Sequence, residues 1–118
     1  MNVKECYQSM GADYEDVMRR LVSEERVKKF LGKLLEDQSF SHLTEAMENG
    51  DLEKGFQVAH SLKGISLNLG LTPLAESSSK LTEALRKLEM NKDIGPLFEE
   101  TRNTYEDMAA AVEALLKS

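Results

Sequence analysis

Cysteine occurs once in the 118 residues, proline twice and tryptophan not at all. The single thiol, Cys6, has no partner for an internal disulfide, and nothing beside it in sequence except Lys4 would favour a thiolate. Basic residues are the minority: 15 Lys and Arg stand against 21 Asp and Glu, a net charge of -6. Such a surface repels a phosphate backbone, so nucleic acid is not expected as a partner. No apolar run approaches the roughly 18 residues of a membrane span. Cys6-Tyr7-Gln8-Ser9 lies where a signal peptide would need an apolar segment. A cytoplasmic protein without membrane contact is the expectation. His42 and His60 are the two histidines, far apart in sequence and without a clear acidic or cysteine partner, so neither a metal site nor a cofactor is expected.

What remains is rich in Glu, Lys, Leu and Ala, and the 41% apolar content suffices for one core. Spacing of the apolar residues then gives the elements. Asp13 caps a short helix with Val17, Met18 and Leu21 on its apolar face, and Ser23 caps a second with Val27, Phe30, Leu31, Leu34 and Leu35. Phe40, Leu43 and Met47 continue out of phase, which predicts a break near Gln38-Ser39. Asn49-Gly50 is a stop and Asp51 a cap, so a tight turn leads into a helix whose stripe is Leu52, Gly55, Phe56, Ala59, Leu62, Ser66 and Leu69. Gly70 ends it. Thr72 is expected to cap the next helix with Pro73 at its first position, and that helix to run through Leu74, Ser78, Leu81, Leu85 and Leu88 to Asn91. Asp93 then caps the last, with Leu97, Thr101, Tyr105, Met108, Val112 and Leu115 facing inward. The fold class is all-α, an antiparallel four-helix bundle with a short additional N-terminal helix. Residues 1–11 read as an N-terminal arm and residues 12–118 as a single bundle domain, expected to be a monomer.

At roughly 100° per residue, His60 falls about a quarter-turn off the core stripe, at the boundary with water. Phe56, Gly64 and Leu67 share its row, and Lys63 is one turn on. An imidazole is the side chain that most readily offers a nucleophilic nitrogen near neutral pH. Lys63 can set a flexible positive charge beside a group bound there, and Gly64 removes a side chain from the approach. Phe56 and Leu67 extend the surface on either side.

His60-Ser61-Leu62-Lys63-Gly64-Ile65-Ser66-Leu67-Asn68-Leu69-Gly70 resembles the motif of the histidine-containing phosphotransfer family, roughly His-x-Leu-Lys-Gly followed after four residues by Leu-Gly. Asn49-Gly50-Asp51-Leu52 upstream and the Leu-rich helix downstream extend the likeness over about residues 24 to 116. The resemblance implies a phosphorelay intermediate that carries a phosphoryl group on His60, on the ring nitrogen farther from the backbone. Lys63 would steady it, and Gly64 and Leu67 would lie under the docked partner. Those partners would be receiver domains of hybrid histidine kinases and of response regulators. Some relatives reach the phosphohistidine with a polar side chain from the following helix, and Thr82 is the corresponding position by spacing. No glycine-rich nucleotide site or receiver-like acidic pocket occurs elsewhere, so the chain reads as a carrier without its own kinase site and not as an enzyme. A noncatalytic helical adaptor using the same Phe56, Gly64 and Leu67 surface is the reading that stands against this. His42 reads as a solvated residue, Glu99-Glu100 as an exposed face, and Ser77-Ser78-Ser79 as small residues at a close helix crossing.

Overall fold

The computed structural model covers residues 1–118 and contains seven helices and no strand: α1 (Val3–Met10), α2 (Tyr14–Leu21), α3 (Glu24–Glu36), α4 (Ser39–Asn49), α5 (Leu52–Asn68), α6 (Thr72–Leu85) and α7 (Ile94–Lys117). Four of them begin where a short polar side chain can accept an otherwise unpaired amide. Asn2, Asp13, Ser23 and Asp51 take the N–H of the residue three further on, at 2.8, 3.0, 3.2 and 3.1 Å. The break expected near Gln38-Ser39 separates α3 from α4, and the Asp37 carboxylate accepts the Ser39 amide at 2.7 Å across it. Gly50 ends α4 in the left-handed region at φ 68°, which lets the chain reverse straight into the Asp51 cap of α5.

The α3–α4 pair, α5, α6 and α7 form the four legs of an antiparallel bundle. Helix α5 packs between α4 and α6, and α6 in turn packs on α7. Phe40 of α4 closes the ring by stacking on Tyr105 of α7, with centroids 4.3 Å apart and planes within 5°. Leu31, Leu43, Ala59, Leu62, Leu74, Leu81, Leu85, Val112 and Leu115 fill the interior, as their spacing predicts. At Gly55 the α4–α5 approach is so close that a Cβ would collide with the Met47 methyl. Ser77 and Ser78 are buried at the α6 crossing, the first 2.7 Å from the Thr104 hydroxyl and the second donating to the Leu74 carbonyl.

Three expectations change. The segment expected as an arm is helix α1, and its Val3, Cys6 and Tyr7 are completely buried against the rest of the core. Burial pushes the Cys6 thiol pKa up, the opposite of a reactive thiolate. Helix α6 ends at Leu85, not near Asn91, because α5 starts at Leu52 and offers no further turn to pack on. Leu88 consequently lies half-exposed at φ 56°, and Met90 is exposed. Finally, Thr72 is the first helical residue of α6 and Leu71 its cap, while Asp93 makes no side-chain cap on α7.

Helix α1 and the start of α2 lock the far end of α5. The buried Tyr7 hydroxyl donates to the Leu69 carbonyl at 2.7 Å, and the Asp13 amide donates to Gly70 at 2.8 Å. Gly70 sits at φ 66°, where an added Cβ would lie 2.6 Å from the Asp13 carbonyl oxygen. Only glycine satisfies both the backbone angle and the close approach. Replacing Tyr7 by Phe leaves the buried Leu69 carbonyl without that partner. Tyr7→Phe is expected to lower stability by about 1–2 kcal/mol, seen as a lower urea midpoint with an unchanged slope. An unchanged midpoint would show that the hydroxyl does not secure α5.

Candidate functional site

Helix α5 buries Gly55, Ala59, Leu62 and Ser66 and leaves Gln57, His60, Ser61, Gly64 and Leu67 exposed. His60 therefore projects from the middle of a helix whose opposite side is fixed in the core. Its ring lies beside the Phe56 ring one turn earlier, with centroids 6.1 Å apart and planes within 13°. Phe56 is half-buried and gives the imidazole an aromatic neighbour on an otherwise open surface. Lys63, also half-buried, lies one turn further along, at the seam with α6. Leu67 is 50% exposed and forms the apolar end of the row.

Gly64 and Gly55 differ in a way that separates packing from function. A Cβ at Gly55 meets Met47 and Leu85, whereas a Cβ at Gly64 meets nothing within 4 Å. A glycine inside a helix costs about 1 kcal/mol relative to alanine, so at Gly64 the fold gives up stability with no internal packing in return. The missing side chain leaves the surface one turn beyond His60 clear.

Five of the six expected site residues thus share one surface, and the sixth does not. Thr82 is 0% exposed, and its hydroxyl donates to the Ser78 carbonyl one turn earlier at 2.7 Å. It lies on the core-facing side of α6, turned away from the position assumed from spacing. The outward side of that helix carries Ser79, Glu83 and Arg86 instead. Ser79 lines, with Lys63, Leu67 and Lys80, an open groove of about 550 Å³ along the α5–α6 seam. Arg86 holds Glu83 through two hydrogen bonds of 3.1 and 2.9 Å, and its guanidinium carbon stands 5.5 Å over the Phe56 ring. Hydrogen bonding from Arg86 holds the Glu83 carboxyl below its usual range, with the Lys63 charge adding to the effect.

Glu83 and Arg86 were not among the expected site residues. Their signal in the sequence is the polar row Ser79, Glu83, Arg86 at three-four spacing, which continues the exposed side of α6. The site can offer an exposed imidazole, two nearby cations, one carboxylate and an unobstructed apolar approach. His42 is exposed on α4.

A family model described as Hpt domain matches residues 27–116, from α3 to near the end of α7. Helices α1 and α2 lie outside the match. Comparison with curated proteins and with solved structures returned no match in either case.

The Phe56–His60 stacking has a direct spectroscopic consequence. Phe56→Leu is expected to shift the ring-proton resonances of His60 by removing the neighbouring ring current, with the helical circular dichroism unchanged. Resonances that stay in place would mean that the two rings do not stack in solution.

Proposed function

The chain belongs to the Hpt domain family, the histidine-containing phosphotransfer domains of two-component signalling, and from that premise we propose that His60 is its phosphoryl-carrying residue. Domains of this family are carriers, not catalysts in their own right, and they work with receiver domains. In the proposed cycle, His60 takes a phosphoryl group from the aspartate of one receiver domain and delivers it to that of another, linking a hybrid histidine kinase to a response regulator. No helix is long and apolar enough to cross a membrane.

In the forward step the imidazole nitrogen farther from the backbone, Nε2, attacks the phosphorus of the receiver's acyl phosphate. The N–P bond forms, the P–O bond to the aspartate breaks, and the carboxylate leaves with the bond's electron pair. Nδ1 keeps its proton, so the ring becomes cationic beside a dianionic phosphoryl group. The return step reverses these bonds on a second aspartate. Such a reaction depends on alignment and charge neutralisation more than on covalent assistance. Lys63 supplies one positive charge, and a metal ion held in the receiver's acidic pocket would supply much of the rest.

The observation that carries this reading is Gly64, whose empty surroundings beside the exposed His60 have no packing explanation. A receiver pocket can descend onto the imidazole only where nothing projects on its approach side. Leu67 and Phe56 then give the docked surface apolar contact on both flanks.

Incubation with a phosphorylated receiver domain is expected to place an acid-labile, base-stable label on the chain, absent from His60→Gln. A folded chain that binds the receiver but takes no label would favour a noncatalytic adaptor. Gly64→Gln separates docking from folding more sharply. That change adds helix propensity, its Cβ meets no neighbour, and the longer side chain starts from an exposed position, so stability is expected to hold or to rise by up to about 1 kcal/mol. Transfer is expected to fall more than about tenfold, which corresponds to only about 1.4 kcal/mol of lost docking. Wild-type transfer rates in Gly64→Gln would refute the clearance argument. Lys63→Ala is expected to slow transfer or to shorten the lifetime of the label, and unchanged kinetics would remove its electrostatic role.

A further inference from the structure

Resting on the phosphotransfer reading of His60, we propose that Glu83 is a positioning residue that sets how readily His60 gives up its phosphoryl group, by holding Arg86 away from it. The geometry lies on α6, across the seam from the histidine. Arg86 binds both carboxylate oxygens of Glu83, at 3.1 and 2.9 Å, while its guanidinium stands 5.5 Å over the Phe56 ring. That ring is the one beside the His60 imidazole. A strong cation is thus parked one aromatic ring away from the reacting side chain, and its hydrogen-bonding fork is occupied by a carboxylate.

The pair is exposed, with 54% and 58% of the two side chains in contact with water. Surface pairs of this kind are weak and exchange easily. A phosphoryl dianion on His60 attracts a cation about twice as strongly as a carboxylate does at the same distance. Guanidinium geometry also matches paired phosphoryl oxygens. Phosphorylation therefore draws Arg86 toward the new anion, in competition with Glu83.

Glu83 acts against the phosphorylated state in two ways. It retains part of the Arg86 interaction, and its charge, which Lys63 also feels, competes with the dianion for that second cation. A carrier benefits from both effects. Its phosphoryl group arrives from an acyl phosphate and must leave to form another, so a site with two uncontested cations would bind the group too well. With Glu83 in place, Lys63 and Arg86 can steady the group in transit without trapping it. No further reactant is needed, since the bonds made and broken are those of the forward and return steps above.

The test is the equilibrium between the chain and one phosphorylated receiver domain, measured as the ratio of labelled chain to labelled receiver. Glu83→Gln keeps the length and shape of the side chain and removes its charge. It is expected to raise that ratio about two- to fivefold, the range open to a surface ion pair. Glu83→Asp, which keeps the charge, is expected to return the ratio toward the original value. A merely structural role would alter thermal stability without moving the ratio in this charge-dependent manner. An unchanged or lowered ratio in Glu83→Gln, with label still reaching His60, would overturn the role of Glu83 alone. No label on the unaltered chain would overturn the phosphotransfer reading and this inference together.

Discussion

Helix α5 has to be held firmly along its inner side for its outer side to remain bare. Ala59, Leu62 and Ser66 are completely buried, and the helix is flanked by α4 and α6. Its end is secured by the Tyr7 hydroxyl on Leu69 and by the Asp13 amide on Gly70. His60 carries no share of this packing, since it leaves the helix on the exposed side. A side chain that must meet another protein in a defined orientation benefits from such a division. The scaffold fixes the backbone beneath the imidazole and leaves the outer row of the helix exposed.

The glycines show the same division in detail. Gly55 admits Met47 and Leu85, and Gly70 admits the Asp13 carbonyl, so both are answers to internal crowding. Gly64 answers nothing inside the molecule. The charged groups follow a related logic. Lys63 on α5 and Arg86 on α6 both act on the Glu83 carboxylate, and Arg86 also stands over the Phe56 ring beside the histidine. Bringing these groups together requires the α5–α6 pairing, which makes the electrostatics of the site a consequence of helix packing and not of one helix alone.

Much of this was legible in the sequence because the interior obeys one rule. The stripes through Leu31 and Leu34, Ala59 and Leu62, and Leu81 and Leu85 recur at three-four spacing, and residues so spaced face inward in the bundle. The break before Ser39 and the reversal at Gly50 were legible from phase and from turn chemistry. Less legible were features set by contacts between distant segments. Val3, Cys6 and Tyr7 make too short a pattern to reveal that α1 belongs to the core. Leu88 keeps the apolar spacing of α6 although the helix has lost its partner by then. Thr82 was placed by counting along the chain from His60, whereas the rotation of α6 in its groove turns Thr82 inward and brings Glu83 and Arg86 out.

The central claim is that one imidazole nitrogen of one histidine carries the phosphoryl group. Nitrogen-15 NMR of the imidazole side chains, recorded after the chain has been phosphorylated by its receiver, tests it most directly. The account predicts phosphorus coupling at Nε2 of His60 and an unaltered His42 spectrum. Coupling at His42, or a phosphorylated chain in which both imidazoles keep their original resonances, would contradict it.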